Sequence, residues 1–448
     1  MLGTMKKLLV SLLNQKRIAG GAAVLALTQL LSSGCGFLRD QAFSIMFPLD
    51  HDPIGVASIY IAAFRPSDLL FQIFVMSCLS VVLVPFLASH LAHGKQKEMN
   101  AVTSSTMLVF GIAFGLIALL LAIFFPMLAP HLVKFEGESL DLYIRFGRIA
   151  LFTNFLFVFG NALGQYLITI QRFWLYGMTP VLWALGTIGG TYLLTPLIGP
   201  MGPMVGTVIG TIIYVIVRYF GVRKHGFHFS LGSDGILHGD LKQMGFLIVP
   251  RMAALGALQL QLLLLDRLAS GLGSGMVALN QFSSNFESVI PGIVGISIAQ
   301  SAFSMLSQSV AKGDHASVKR AIRQGITFNL VLALPGAIAL AMLAGLAAWI
   351  LQLGPSSVPL FTDSLLIYCI AIPFESSNHI MLRSFYAFKN TLFPALSSII
   401  SCAIAVTAGT MLLANFGVFA LAIAYVIAQV SQSVFLGSSL LIMLRKRI

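Results

Sequence analysis

The residues best suited to chemistry in this sequence are charged side chains that interrupt long apolar segments. The stretch from Leu30 to Phe47, LLSSGCGFLRDQAFSIMF, carries Arg39 and Asp40 in its second half. A charge at the centre of a bilayer costs roughly 2.5 kcal/mol or more, so such residues normally face a protein interior or a water-filled path. The sequence therefore predicts a polar path through an apolar protein.

Three arginines are predicted to bind an anionic substrate. Arg39 and Arg65 lie on successive apolar segments, and Arg251 lies just inside the segment that opens the second half. A guanidinium group stays charged and binds phosphate oxygens through two parallel hydrogen bonds. A phosphate-bearing head group is therefore the expected ligand.

Arg145 and Arg148 form a second candidate pair for this path, because residues three apart share a helix face. Two other interpretations stay open for them. Asp141 lies one turn before Arg145 and can neutralise it, and long side chains near the membrane interface can extend to water.

Acidic residues inside apolar segments are the candidates for ion coupling. Glu287 and Glu375 lack a basic neighbour on their own predicted helices, and a buried carboxylate without a partner readily takes up a proton. Asp40 and Asp68 complete this set. A structural alternative also stays open, in which the arginines and carboxylates of these segments pair and hold helices together.

Several other classes of chemistry are disfavoured by the sequence. There is no H-E-x-x-H, G-x-S-x-G or G-x-x-x-x-G-K-[ST] motif, so we expect neither an enzyme nor a nucleotide-driven pump. The cysteines are widely spaced in apolar segments, which argues against a disulfide framework or a metal site. They are Cys35, Cys78, Cys369 and Cys402. We expect no cofactor, and energy from a proton or sodium gradient, the membrane potential or the substrate gradient.

The composition indicates the element that must position these residues, which is the membrane-spanning helix. The 448 residues are 57% hydrophobic and only 9% charged, whereas soluble domains carry about 25% charged residues. Apolar windows of membrane length predict an all-α polytopic protein with about twelve spans. Their cores are 20–47, 56–90, 102–131, 142–170, 176–197, 202–222, 245–270, 275–308, 324–352, 359–387, 391–414 and 417–443.

The net charge of +12 follows the membrane topology. Most Lys and Arg residues outside the apolar segments lie in the termini and in alternate loops, whereas Lys134 lies in the opposite loops. This positive-inside pattern places both termini in the cytoplasm. No basic face is interleaved with exposed aromatics, so nucleic acid is not an expected partner.

Two of the predicted spans are too long for one straight crossing. About 35 helical residues at 1.5 Å each exceed a hydrocarbon core of about 30 Å. The second span contains Pro66 and Pro85, and the eighth contains Pro291 near its middle. Proline weakens a helix, so these are the predicted sites of bending.

An internal repeat relates the two halves of the chain. FLASHLAHGK (86–95) resembles MLSQSVAKGD (305–314), and QRFWLYGMTP (171–180) resembles FYAFKNTLFP (385–394). The offset of about 215 residues predicts two six-helix bundles around a central cavity. The expected organisation is an amphipathic cytoplasmic N-terminus (1–19), a first bundle (20–222), a cytoplasmic linker (223–242) and a second bundle (243–448).

Five stretches resemble the MurJ/MviN family of lipid II flippases, within the multidrug/oligosaccharidyl-lipid/polysaccharide exporter superfamily. They are GFLRDQ (36–41), YIAAFRPSDLLFQ (60–72), LKQMGFLIVP (241–250), IPGIVGISIAQSAFSMLSQSVAKGD (290–314) and RSFYAFKNTLFP (383–394). The resemblance implies that the basic residues of two family motifs fall on Arg39 and Arg65. Gln72, Asn280 and Gln281 stand at or near positions where the family commonly carries charges, and the family usually has fourteen spans.

The resemblance implies a flippase that moves lipid II, an undecaprenyl-pyrophosphate-linked sugar-peptide, from the inner to the outer leaflet for peptidoglycan synthesis. The expected location is the bacterial cytoplasmic membrane, and the expected partners are the lipid-linked anionic substrate and membrane lipids. Two alternatives stay open: an exporter of another lipid-linked oligosaccharide or an amphiphilic compound, and a non-transporting scaffold that recruits cell-wall synthesis proteins.

Overall fold

The computed structural model describes residues 18–77, 79, 83–231 and 239–447. All regular secondary structure within these ranges is helical, as the apolar windows predict. In chain order the α-helices are α1 Ile18–Met46, α2 Val56–Leu70, α3 Val84–Ala92, α4 Gln96–Leu132, α5 Gly137–Thr169, α6 Phe173–Gly189, α7 Thr195–Ile198, α8 Gly202–Arg223, α9 Gly239–Ser270, α10 Met276–Glu287, α11 Ser297–Ala311, α12 His315–Met342, α13 Ala344–Ile350, α14 Ser357–Cys369, α15 Ile372–Ala387, α16 Leu392–Phe416 and α17 Phe419–Arg447.

Eleven of the twelve predicted spans coincide with helical runs of membrane length within the described residues, and the first, 20–47, lies on α1, which is not among those runs. Among the described residues, nine helical runs are long and apolar enough to cross a membrane, or ten if α14 and α15, which meet at a bend of 42°, count as one span. The run Phe173–Arg223 is 51 residues long and contains two predicted spans, 176–197 and 202–222. It turns at Gly199, whose φ of 63° lies in the left-handed region that favours glycine.

The two long spans both change helix type near their prolines. A π-helix covers Phe71–Met76 in the second span, between Pro66 and Pro85. Another covers Pro291–Ile296 in the eighth and begins at the predicted proline. In a π-helix the backbone hydrogen bonds join residues five apart instead of four, and short π-helical segments are frequent at functional sites. The irregular segments therefore lie near the predicted sites of bending, with Pro66 itself inside the regular helix α2.

The internal repeat is also visible in the backbone. Residues with positive φ recur in the two halves at offsets of 218 or 219 residues, in the connections between corresponding helices. A residue with positive φ commonly marks the end of a helix. The matching pairs are Gly94 (67°) with Gly313 (67°), Gln171 (58°) with Lys389 (57°), and Gly199 (63°) with Gly417 (54°).

By contacts the chain divides into two compact units. The first comprises Met1–Met46, Pro66–Met127 and Ile144–Met252, and the second comprises Phe47–Arg65, Leu128–Tyr143 and Ala253–Ile448. The second unit thus includes two segments from the predicted first bundle, 47–65 and 128–143. The predicted boundaries at 20–222 and 243–448 stay a prediction, and residues 1–17 and 232–238 lie outside the described residues.

In the first unit, α6 and α8 pack closely through glycines. A Cβ atom at Gly190, just after α6, would lie 2.5 Å from both the Gly202 carbonyl oxygen and the Gly206 Cα. Thr187 and Thr207 share a hydrogen bond of 2.8 Å across the same contact. Small residues let helix backbones approach in membranes, where packing and hydrogen bonds replace the hydrophobic driving force.

In the second unit, the segment 47–65 is fixed by polar contacts. Asp50 accepts hydrogen bonds from the Ser356 backbone N–H (3.1 Å) and from the Ser357 hydroxyl at the start of α14. Partial burial raises the pKa of Asp50, but these hydrogen bonds outweigh it, so the pKa lies below its ordinary value. The Ser58 hydroxyl accepts from the Ala278 N–H at 3.1 Å, which joins α2 to α10. These hydrogen bonds therefore hold the N-terminal part of α2 within the second unit.

The close contact of α6 with α8 predicts a position-specific effect of added volume. Gly190→Ala should lower the free energy of unfolding by about 1–3 kcal/mol, because its Cβ meets backbone that cannot move aside. Gly189→Ala is the matched control: nothing lies within 4 Å of its Cβ position, and alanine favours the helix by about 1 kcal/mol. Thermal unfolding of the purified protein in detergent measures both. Equal effects of the two variants would contradict the packing.

Candidate functional site

In the first unit, Arg39 and Asp40 form an ion pair on α1. Asp40 Oδ1 accepts from Arg39 Nη2 at 2.7 Å and from Nε at 3.1 Å. The Asp40 side chain is 2% exposed and that of Arg39 is 17% exposed. The guanidinium also lies over the Trp183 ring, 5.9 Å from its centroid. The two predicted charges thus neutralise each other locally and leave part of the guanidinium accessible.

Asp68 is held by a second polar contact of the first unit. Asn154 on α5 donates to Asp68 Oδ1 at 2.8 Å and to the Ser67 hydroxyl oxygen at 2.6 Å. The Ser67 hydroxyl in turn donates to the Ala150 carbonyl at 3.0 Å. Asp68 therefore contributes to the packing of α2 against α5, in addition to its predicted role in ion coupling.

In the second unit, Arg65 forms an ion pair with a carboxylate distant in sequence. Its Nε donates to Asp266 Oδ2 on α9 at 2.6 Å, and its Nη2 donates to Gln281 Oε1 on α10. Gln281 then donates to Asn285 Oδ1 at 2.6 Å. The structure therefore brings together two predicted site residues, Arg65 and Gln281, with Asp266, which was not among the predicted site residues.

The neighbouring Asn280 faces a different partner. It is 7% exposed, and its side-chain oxygen accepts a hydrogen bond of 2.8 Å from the Tyr368 hydroxyl on α14. Consecutive helical residues point about 100° apart, so Asn280 and Gln281 reach different neighbours. Asn280 therefore binds Tyr368 on α14, whereas Gln281 binds Arg65.

Glu287 and Glu375 meet in the interior of the second unit. Glu287, the last residue of α10, is 0% exposed, and neither of its oxygens accepts a hydrogen bond from an N–H or hydroxyl group of the described residues. The neighbouring carboxyl group is that of Glu375 on α15. Glu375 Oε2 accepts a hydrogen bond of 2.5 Å from the Tyr425 hydroxyl on α17. A fully buried carboxyl group beside a half-buried one cannot carry charge at both without a large cost, so this arrangement favours one proton held by the pair.

Comparison with known proteins assigns the chain to a family. The family model described as "Lipid II flippase MurJ" matches residues 55–448. The chain belongs to the MurJ family of lipid II flippases. A "Probable lipid II flippase MurJ" of Bdellovibrio bacteriovorus is 22% identical and covers 94% of this chain and 82% of its own length. A protein of the same description from Aquifex aeolicus is also 22% identical, over 92% of this chain and 81% of its own.

Solved structures agree with the MurJ assignment at the level of the fold. "Lipid II flippase MurJ, inward closed conformation" has a TM-score of 0.74 at 18% identity and covers 93% of this chain and 87% of its own. A multidrug resistance MATE family transporter of the MOP superfamily, in an inward-facing conformation, has a TM-score of 0.73 at 14% identity. The match covers 91% of this chain and 95% of the transporter. The predicted fold class is confirmed. MurJ proteins are transporters, so the prediction that the chain is not an enzyme is also confirmed.

The other residues predicted to line the substrate path lie in different surroundings. Arg145 and Arg148 are exposed, and Arg148 Nε donates to the Ala122 carbonyl at 2.9 Å. Gln72 is half-buried in the π-helix Phe71–Met76. Arg251 lies on α9, and its side chain is outside the described residues. Among the described residues, no three His, Cys, Asp or Glu side chains come together as a metal site would require.

Sequence reasoning missed one buried charge of this MurJ protein, Arg218 on α8. It is 1% exposed, and its hydrogen bonds go to the Thr179 hydroxyl oxygen (2.8 Å) and to the carbonyls of Gly160 (2.8 Å) and Tyr176 (3.1 Å). Its guanidinium carbon lies 4.2 Å from the centre of the Tyr214 ring. Oxygen dipoles and aromatic faces thus replace a carboxylate. The sequence signal that could have indicated a buried Arg218 is its position inside an apolar helix, five residues before the helix ends at Arg223.

This environment predicts that Arg218 is structural. Arg218→Lys should lower the free energy of unfolding by about 2 kcal/mol, because an ammonium group cannot reproduce the planar set of three charge-assisted hydrogen bonds. Arg223→Lys, an exposed position at the end of the same helix, should leave stability unchanged. Thermal unfolding in detergent compares the two. A tolerated Arg218→Lys would show that charge alone satisfies the site.

Proposed function

We propose that this protein translocates lipid II, or a closely related undecaprenyl-pyrophosphate-linked precursor, from the inner to the outer leaflet of the bacterial cytoplasmic membrane. Membership of the MurJ family supports this proposal. The observation that carries it to particular residues is the pair of partly accessible arginines, Arg39 and Arg65, embedded in apolar helices and each matched with one carboxylate. Both termini lie in the cytoplasm in this proposal.

The chemistry of the arginines favours a pyrophosphate group over a cationic ligand. A lipid-linked pyrophosphate brings several negative oxygens, and guanidinium groups bind such oxygens through paired hydrogen bonds. Each arginine is already neutralised by one carboxylate, so the resting protein carries no large uncompensated charge in lipid. Binding then exchanges or shares a carboxylate partner for phosphate oxygens. The polyprenyl tail remains in the bilayer, whose hydrocarbon solvates it.

We expect the transport cycle to follow alternating access, with Arg39, Arg65 and Arg251 neutralising the pyrophosphate. The central cavity that this cycle needs stays a prediction. Gln72, Asn280 and Gln281 supply neutral polar groups where the family resemblance implies charges. Gln281 already bonds Arg65 and Asn280 already bonds Tyr368, so we assign these two to positioning within their own unit.

We further propose that Glu287 and Glu375 couple transport to a proton gradient. Glu287 is fully buried and accepts no hydrogen bond from an N–H or hydroxyl group of the described residues. Its surroundings include Glu375, the Tyr425 and Tyr368 hydroxyls and the Cys369 thiol. His379, one turn after Glu375 on α15, interacts with Glu375 and with Arg383. A shared proton removes the repulsion between the two carboxyl groups, and its loss restores it. The pair can therefore exist in two charge states that change the interaction between the end of α10 and the first turn of α15.

The substrate assignment predicts rescue of a bacterium depleted of its own lipid II flippase. The wild-type protein should restore lipid II at the outer leaflet, and Arg39→Ala should restore at least tenfold less, because it removes a charge-assisted contact to phosphate. Arg172→Ala, at an exposed position outside the site, should match the wild type at equal expression.

The other results of this experiment decide between the alternatives. No rescue by a correctly inserted wild type would contradict lipid II as the substrate and favour another lipid-linked oligosaccharide, an amphiphilic compound or a scaffold. Rescue by Arg39→Ala at the wild-type level would remove Arg39 from the binding site. The MATE-like fold makes the first of these results informative, because that fold also serves a multidrug transporter.

The coupling assignment predicts a loss of gradient dependence. In proteoliposomes, an imposed pH gradient should change the wild-type flipping rate, whereas Glu375→Gln should flip at one rate in either gradient because the amide cannot titrate. Glu136→Gln, an exposed carboxylate outside the pair, is the control and should respond like the wild type. A Glu375→Gln variant that still responds fully would exclude this pair as the proton site.

A further inference from the structure

The contacts of Arg65 are built for exchange of its partner. Its guanidinium uses Nε for Asp266 and Nη2 for Gln281. Its third nitrogen, Nη1, forms no hydrogen bond with any of the described residues. The side chain of Arg65 is 12% exposed and that of Asp266 is 4% exposed. One edge of the cation is therefore held by the protein, and one nitrogen remains for a further acceptor.

Asp266 is the more deeply buried member of the ion pair. It lies on α9 at 3% overall exposure, and its side chain has only Arg65 as an ion-pair partner among the described residues. The Tyr143 and Tyr368 phenols are near enough to interact with it electrostatically. A carboxylate in such a place is stable while it is paired and costly when its cation is removed. Asp266 therefore pulls Arg65 back whenever another anion releases it.

The supporting contacts fix the geometry in which this competition takes place. Gln281 holds Nη2 through its side-chain oxygen, while its own amide nitrogen is held by Asn285. Both residues lie on α10. A neutral amide at position 281 orients the guanidinium without adding a second negative charge to compete with an incoming anion.

We propose that Asp266 is a resident counter-ion that competes with the substrate's phosphate for Arg65 and thereby sets the rate of substrate release. This inference rests on the proposed function, in which Arg65 contacts the pyrophosphate. An arginine without a competitor would bind the pyrophosphate tightly in every state of the cycle, which lowers the concentration needed for binding but not the barrier to transport. Recapture of Arg65 by Asp266 supplies a local driving force for release.

The proposal predicts opposite effects on affinity and turnover. Asp266→Asn keeps the size of the side chain and an oxygen that can accept from Arg65, but removes the competing charge. Binding of fluorescent undecaprenyl pyrophosphate to the purified protein in nanodiscs should tighten about tenfold. The maximal flipping rate of the same lipid in proteoliposomes should fall several-fold because release slows. Asp363→Asn, an exposed carboxylate on α14 of the same unit, is the charge-matched control and should change neither quantity.

A second variant tests the same exchange in the opposite direction. Gln281→Glu places another carboxylate beside the guanidinium, so binding of undecaprenyl pyrophosphate should weaken about tenfold relative to the wild type. A purely structural role for the contacts of Arg65 predicts a different pattern, in which both variants lose stability and weaken binding together. Thermal unfolding of each variant, measured alongside binding, separates these patterns.

Each outcome decides a distinct point. Tighter binding with slower flipping in Asp266→Asn, and weaker binding in Gln281→Glu, support the counter-ion. If the wild type binds undecaprenyl pyrophosphate and Asp266→Asn binds it with the same or a lower affinity, the counter-ion role is overturned while the proposed function stays intact. A folded wild-type protein that does not bind undecaprenyl pyrophosphate overturns the proposed function, and the counter-ion role is rejected with it.

Discussion

The structure depends on one constraint, which is that a charge in an apolar environment must be compensated nearby. The ion pair of Arg65 and Asp266 meets this constraint across 201 residues of sequence. It also lies where the chain passes from one compact unit to the other, since the second unit includes Phe47–Arg65 and the first resumes at Pro66. Just beyond that proline, Ser67 and Asp68 bind Asn154 within the first unit. Successive turns of α2 are thus anchored in different units, on either side of a residue that weakens the helix.

Three arginines show three ways of satisfying this constraint, and the differences separate function from structure. Arg39 is matched by the adjacent Asp40 and retains partial exposure. Arg65 is matched by a distant carboxylate and an amide, with one nitrogen left over. Arg218 is enclosed by carbonyls, a hydroxyl and tyrosine rings, and all three of its hydrogen bonds go to neighbouring helices. Accessibility and an exchangeable partner suit ligand binding, whereas complete enclosure suits packing.

The halves of the chain repeat in their backbone turns but not in their buried carboxylates. Left-handed residues and π-helices recur at an offset of about 220 residues. The pair formed by Glu287 and Glu375 belongs to the second unit, whereas Asp68 of the first unit is held by the amide of Asn154. An amide donor stabilises a charged carboxylate, and a second carboxyl group destabilises it. The repeated scaffold therefore carries two different electrostatic devices.

The sequence by itself determined the all-α membrane fold, the helix irregularities near the prolines of the two long spans, the internal repeat and the candidate charges. These follow from properties of short windows, because the apolar length of a span, a proline or glycine break and a charge in lipid are local features. The sequence did not predict the π-helix at Gly190–Leu194. Only the tertiary structure decided that Arg65 pairs with Asp266, that Glu287 meets Glu375 and that Arg218 is buried without a carboxylate. Helical periodicity limits which face a residue occupies, but the partner on the next helix depends on axial register and rotation, which packing of the whole unit sets.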